Sequence, residues 1–265
     1  MRSSHQPSYF ELALWFCGAL VLLFVVAPLA GMALHSSWPS LRETAADAEV
    51  QRSIRLTLLT SLAGTLVFSL IAIPFAWLLA RHTFPGKRFL LGLIDLPIVI
   101  PHSTAGIALL GVLNRDSPAG RIAESLGFSF IGHPAGIAVA MAFVSSPFLI
   151  NAARDGFAAV PERLEKSALT LGASPGRVFF TISLPLASRS LLTGFVMMFA
   201  RGLSEFGAVL IVAYHPMITP ILIYERFTSF GLSYARSVAV LFLAICLLVF
   251  IVLRLVSGGP RHADR

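Results

Sequence analysis

Residues 12–34 read LALWFCGALVLLFVVAPLAGMAL and contain no charged side chain. The run exceeds the roughly 20 apolar residues that an α-helix needs to cross a ~30 Å hydrocarbon core. Five further runs of this kind follow, near 56–80, 89–113, 134–151, 190–213 and 237–256. Their number fixes the class: an all-α, polytopic membrane protein with six transmembrane helices. Ala27-Pro28-Leu29-Ala30 resembles a signal-peptidase site, but the first run is too long for a signal-peptide core, so a retained signal anchor is expected.

Composition agrees with this reading. The chain of 265 residues is 56% hydrophobic and 12% charged, against about 25% charged in a soluble domain. The formal charge of +7 is not a nucleic-acid footprint, because the basic residues sit in short loops with no interleaved aromatic stripe. Cys17 and Cys246 each lie in an apolar run, lack CxxC spacing, and are expected to be buried apolar thiols without metal. No GxxxxGK[ST], HExxH or GxSxG string occurs, so the chain is expected to be non-catalytic and to hold no cofactor of its own.

Basic residues orient the spans. With the N-terminus inside, the inner set is Arg2, Arg81, Lys87, Arg88, Arg154, Arg163, Lys166, Arg177, Arg189, Arg254, Arg261 and Arg265, and the outer set is Arg42, Arg52, Arg55, Arg115, Arg121, Arg226 and Arg236. The excess predicts both termini in the cytoplasm, with 35–55, 114–133 and 214–236 as outer loops.

The longest inner connection, 152–186, is patterned. Pro161 suits the first turn of a helix. Leu164, Ala168 and Leu171 then recur at i, i+4 and i+7, with Glu162, Glu165 and Lys166 off that stripe. Gly172 ends the helix, and Ala173 leads to Ser174-Pro175 as N-cap and first residue of a second helix. Val178, Phe179 and Ile182 give the second helix an apolar face before Leu184-Pro185 enters the fifth span. Two short helices joined by a tight turn form a knuckle suited to a groove in a partner.

Gly172, nine residues, Ile182, one residue and Leu184-Pro185 resemble the later half of the EAA loop of ABC-importer permeases. The earlier half departs from it: Lys166-Ser167-Ala168 stands at the EAA positions, and Glu165 falls one residue early. Phe84-Pro85-Gly86-Lys87, Asp95-Leu96-Pro97-Ile98-Val99-Ile100-Pro101-His102, Arg201-Gly202-Leu203-Ser204-Glu205-Phe206-Gly207-Ala208 and Ala213-Tyr214-His215-Pro216 are similar to the tungstate/molybdate branch, which shares its fold with the sulfate permeases. The resemblance covers about Thr57 to Leu255. It implies one permease domain over 1–265 with the ABC type I importer fold, in the cytoplasmic membrane. It also implies a homodimer, two ATPase subunits holding ATP and Mg²⁺, and an extracytoplasmic oxyanion-binding protein. The Lys166 departure weakens any expectation of a specific salt bridge at the ATPase, but not of docking.

Within the spans, Arg201 and Glu205 lie four residues apart near the middle of the fifth run, either as an internal ion pair or at a dimer-facing gate with Ser204 and Gly207. Pro97 and Pro101 predict a bend in the third span beside Asp95, His102, Ser103 and Thr104, read as a helix lining the translocation pathway rather than a purely structural kink. Asp95 and His102 share a helical face but lack a third metal ligand. Ser145-Ser146-Pro147 predicts a structural bend in the fourth span, where Gly136 and Ala140 permit close helix approach. The outer Tyr214–Pro220 stretch is aromatic and stiffened by proline, suited to a binding-protein contact or an outer gate. Competing readings are a sulfate or thiosulfate permease, a self-sufficient secondary transporter or channel, and an intramembrane enzyme. The absence of a convincing second copy of the broken-helix pattern counts against the transporter, and the lone Asp95 counts against the enzyme.

Overall fold

The computed structural model describes residues 8–257, apart from the side chains of 254, 256 and 257. Of the inner basic set, Arg2, Arg261, Arg265 and the side chain of Arg254 lie outside the described residues. The described chain is all helical. In order the helices are α1 (Tyr9–Leu34), α2 (Trp38–Ala46), α3 (Ala48–Arg81), α4 (Lys87–Val99), α5 (His102–Leu113), α6 (Pro118–Ser125) and α7 (Pro134–Ala159). There follow α8 (Glu162–Thr170), α9 (Pro175–Val178), a π-turn at Phe179–Ser183, α10 (Leu184–Leu203), α11 (Gly207–Val212), α12 (Thr219–Phe230) and α13 (Leu232–Ser257).

Among the described residues five helices are long and apolar enough to cross a bilayer: α1, α3, α7, α9 through α10, and the 232–253 part of α13. The pair α4 and α5, bent by 113° at its break, passes the same test when taken together and makes a sixth crossing if it counts as one span. A continuous third span over 89–113 was expected, and the structure breaks it. Pro97 stays inside α4, while Ile100 and Pro101 adopt extended ψ of 144° and 134°. Ile100 precedes a proline, whose ring disfavours the helical conformation of the residue before it. Pro101 then starts α5 without needing an N–H.

The fifth crossing also differs from its expected 190–213 limits. It begins at Pro175, because the π-turn joins α9 to α10 without a break. The Leu184 amide reaches back to the Phe179 carbonyl, and Pro185, which has no N–H, sits in the first turn of α10. The wider turn absorbs the missing donor. The same crossing stops at Leu203, earlier than its apolar run. The fourth crossing continues to Ala159, so residues 152–159 belong to α7 rather than to the 152–186 loop, and the protruding part is 160–174. Pro147 lies within α7, which remains one helix.

The centre of the bundle is α7, with α3 and α10 packed along it. Small polar residues make that close approach possible. Thr57, Ser61, Thr65 and Ser69 form an i+4 stripe on α3 and are buried, whereas Leu66, Val67, Leu70 and Ile71 point outward. The inside-out pattern is what lipid demands, since tails solvate leucine as well as a protein core does. Each hydroxyl finds an acceptor: Thr57 on Ser53 O at 2.7 Å, Thr65 on Ser61 O at 2.8 Å and Ser69 on Thr65 O at 2.6 Å. Ser61 instead crosses to the Phe199 carbonyl of α10 at 2.9 Å. Helix α1 buries no residue, so Cys17, expected to be buried, is exposed, and Cys246 is half-buried on α13.

A Cβ built on Gly64 would stand 2.6 Å from the Ala138 carbonyl oxygen of α7. Backbone must move to admit it, so Gly64→Val is expected to cost about 1–3 kcal/mol, the usual range for overpacking. The purified protein should unfold at a lower temperature in detergent. Unchanged melting would mean that the α3–α7 contact tolerates separation.

Candidate translocation and coupling sites

Two clusters of polar residues are buried at opposite ends of α10. The first lies where α10 stops. Arg201 is in its last turn, Ser204 is the C-cap, and Glu205 and Phe206 connect to α11. Arg201 and Glu205 are thus at a helix break, not on one continuous face as the sequence suggested. The Glu205 side chain is 1% exposed. Its Oε1 accepts the Ala208 backbone N–H at 2.9 Å, satisfying an otherwise unpaired donor at the start of α11. Its Oε2 meets His102 Nδ1 at 2.8 Å and Arg201 Nη2 at 3.2 Å.

His102 begins α5, so Glu205 joins the two interrupted helices. The Arg201 Nη2 lies 3.0 Å from His102 Nδ1 and 2.9 Å from Nε2, nearly equidistant from the two ring nitrogens. Because a carboxylate oxygen can only accept, the Nδ1 contact with Glu205 requires the N–H on Nδ1. Arg201 Nη1 donates to the Ser204 hydroxyl at 3.3 Å. Side-chain exposure falls from 39% at His102 to 25% at Arg201 and 1% at Glu205. The cluster therefore buries its anion and turns its nitrogen-bearing edge outward, with the exposed Ser204 beside it.

The other residues singled out in the sequence divide. Gly207 packs tightly, since a Cβ there would sit 2.8 Å from His102 Cβ, so it is a close-approach position rather than an open pathway surface. Asp95 does not join His102. The break at 100–101 separates them, and Asp95 accepts from Asn151 Nδ2 on α7 at 2.6 Å. Pro97 is buried in α4 and Pro101 forms the bend itself. Among the described residues, no group of three or more His, Cys, Asp or Glu is placed to hold a metal ion.

The second cluster surrounds the knuckle. Pro161 is the residue before α8 rather than its first, and Ser174 caps α9 by accepting from Arg177 N at 3.4 Å. Gly172 has φ +89°. Its N–H reaches Leu169 O and the Ala173 N–H reaches Ala168 O, both at 3.0 Å, the paired closure of a left-handed helix end. The expected apolar stripe of α8 is not buried: Leu164 is 43% and Leu171 88% exposed. Lys166 is also exposed and pairs with Glu162 at 2.7 Å. Of the distal motif, Ile182 is half-buried in the π-turn, Leu184 half-buried and Pro185 exposed.

The residue that α8 does bury is Glu165, at 6%. Arg81 Nε and Nη2 reach its two oxygens at 2.8 Å each, and the Ser183 hydroxyl donates at 2.6 Å. No sequence pattern pointed to Arg81, which lies 84 positions away. A basic residue closing an apolar helix reads simply as an inner anchor. Burial alone disfavours the charged carboxylate. The hydrogen bonds from Arg81 and Ser183, and the guanidinium charge, outweigh it and hold Glu165 below the usual glutamate range. A group lowered in this way contributes its full stability above the ordinary value and loses it as pH falls through the lowered one.

Known proteins resemble this chain along most of its length. The family model of the binding-protein-dependent transport system inner membrane component matches residues 72–261. The molybdate/tungstate transport system permease protein WtpB of Pyrococcus furiosus is 41% identical over 260 residues, covering 97% of this chain and 99% of that one. A probable sulfate transport system permease protein of Chlorokybus atmophyticus is 32% identical, covering 89% and 84%. A chain of a bacterial ABC transporter involved in the import of the acidic polysaccharide alginate superposes with TM-score 0.72 at 16% identity, covering 94% and 95%, a likeness of fold.

Glu205→Ala would strip both nitrogen-bearing side chains and the Ala208 N–H of their shared partner. Breaking a buried pair from one side costs about 3–5 kcal/mol. The variant should therefore melt well below the unaltered protein, and below Arg201→Ala, whose guanidinium is partly exposed. Equal melting of all three would show that the carboxylate does not join α5 to α11. For Glu165 the pH sign is testable as well. The stability gap between the unaltered chain and an Arg81→Gln, Glu165→Gln double variant should be constant from pH 7 to about 5. A gap that shrinks within that window would contradict the lowered carboxyl.

Proposed function

This chain belongs to the binding-protein-dependent transport system inner membrane component family, and on that footing we propose that it carries molybdate or tungstate inward as a homodimer driven by separate ATPase subunits. The observation that carries the cargo is the 41% identity to a molybdate/tungstate permease along nearly both chains. Sulfate is the second reading, motivated by the 32% match to a sulfate permease. The pump has two ATPase subunits, which hold the ATP and Mg²⁺, and an extracytoplasmic binding protein delivers the oxyanion. Both termini are cytoplasmic in this reading, which puts the Gly172 knuckle inside and the Tyr214–Pro220 stretch outside.

In this mechanism the knuckle docks against an ATPase. The exposed Leu171 beside the Gly172 turn offers a groove an apolar contact of fixed shape. The helix from Pro175 to Leu203 is continuous for 29 residues, roughly 40 Å at 1.5 Å per residue. A push near Arg177 is thereby delivered to Arg201. There the outward edge of Arg201 and the Ser204 hydroxyl face the route between two copies. Oxyanion oxygens accept from both groups, while Glu205 behind them weakens the attraction. Weak attraction is what transport requires, because a tight site would retain its cargo.

Uptake of labelled molybdate should need a co-expressed ATPase subunit and should be suppressed by equimolar unlabelled tungstate. Suppression by sulfate at the same concentration, with none by tungstate, would favour the second reading. Gly172→Val forces a β-branched residue into a positive-φ turn, at a cost of about 1 kcal/mol or more. It should reach the membrane normally, yet bind the ATPase more weakly and lose most uptake. Unaltered uptake with unaltered ATPase binding would remove the knuckle from the mechanism. Because Gly207 is packed against His102, a cysteine reporting on the paired copies belongs at Ser204, where oxidation should link two identical chains. Failure to cross-link there would contradict a central route lined by this residue.

A further inference from the structure

We propose that Arg81 is the positioning residue that fastens the docking helix α8 to the membrane bundle and carries its displacement into α3. The proposal rests on the reading of α8 as the ATPase-facing helix.

Helix α8 has nine residues, and the one that it buries is Glu165. An amphipathic helix ordinarily holds to its neighbours through an apolar stripe, but Leu164, Leu169 and Leu171 are 43%, 44% and 88% exposed. The helix is instead anchored through one carboxylate. Arg81 grips both oxygens of that carboxylate in a two-pronged pair, with each side chain only 8% exposed. Such a fork fixes direction as well as distance.

The other contacts of the fork show where force would go. Arg81 is the last residue of α3, the helix packed along α7 and α10. Its Nη2 also donates to the Val160 carbonyl at 3.0 Å, immediately after α7. Glu165 Oε1 accepts from Ser183 at 2.6 Å, at the base of α10. A displacement of α8 is therefore shared among three crossing helices, and the charged fork is its link to α3. Apolar packing would allow α8 to slide, because such contacts are not directional. Two hydrogen bonds to a buried carboxylate do not.

The experiment uses the complete complex in liposomes with the ATPase and the binding protein, and molybdate as the probe. Three quantities are measured: ATPase retained on the permease, ATP hydrolysed, and molybdate imported per ATP. Arg81→Gln should keep the ATPase and its hydrolysis, while import per ATP falls by about tenfold, within the reach of single coupling residues. Arg81→Lys keeps the charge without the fork and should fall in between. Exchanging the partners, with Arg81→Glu and Glu165→Arg together, should recover part of the import per ATP lost in Arg81→Gln. Loss of ATPase binding in Arg81→Gln would overturn the proposal, since the pair would then merely shape the docking surface. Undiminished import per ATP, or no recovery in both Arg81→Lys and the exchanged pair, would overturn it equally. Failure of the unaltered chain to bind an ATPase would instead remove the docking reading itself.

Discussion

The Glu205 carboxylate resolves a conflict between lipid and transport. Inside a bilayer every backbone N–H and C=O needs a partner within the protein, so unbroken helices are the default solution. This chain nevertheless interrupts two crossings, at Ile100–Pro101 and at Ser204–Phe206. Each interruption frees backbone groups and would leave a helix end in a region poor in water. Glu205 answers one end directly through Ala208 N–H and ties the other through His102. Its own charge is met by Arg201. Without that carboxylate the two broken helices would lose the residue that joins them.

The same economy runs through α3. A soluble helix would turn leucines inward, but here the inward stripe carries hydroxyls and the leucines face out. Ser61 shows why this packs well. Its side chain is small enough for α10 to approach and polar enough to bond the Phe199 carbonyl. Interhelical bonds of this kind are worth only about 0.6 kcal/mol each on average in a membrane protein. Their effect is cumulative and positional: they hold α3, α7 and α10 as a block, against which shorter pieces such as α8 and α11 are set.

How far the sequence could be read follows from the range of each interaction. Uninterrupted apolar runs are local, so α1, α3, α7 and α13 were legible as crossings to within a few residues, apart from an eight-residue extension at each of α3's N-terminus and α7's C-terminus. Turn chemistry is local too, and Gly172 with Ser174-Pro175 could be recognised as a helix end followed by a helix start. The ends of the broken helices were not legible, because hydropathy counts Gly207 to Val212 as a continuation of α10. The helix stops earlier, where buried Glu205 takes the Ala208 N–H, His102 and Arg201 as partners. Side-chain pairs at sequence separations of 84 and 103 leave no periodic trace. Glu165 falls off the stripe Leu164, Ala168 and Leu171, which reads as the buried face of α8. At the end of a membrane bundle that assumption inverts: leucines are free to face a partner, and the buried position goes to the residue with a charged mate.

The two ion-pair clusters differ in a way that suits alternation between two states. Arg81 and Glu165 are both nearly inaccessible, doubly bonded and braced by Ser183, so separating them would expose charges to a poorly solvating environment, at a cost of several kcal/mol per ion. In the proposed coupling such a joint would transmit motion without yielding. Arg201 and His102, by contrast, retain an outward edge, and only Glu205 is sealed. In the proposed mechanism an arriving oxyanion offers oxygens to that edge without the carboxylate first moving, an alternative partner that the Arg81 pair lacks. In the proposed mechanism the unyielding contact lies where force enters and the exchangeable one where cargo passes. In this chain the helix from Pro175 to Leu203 runs between them.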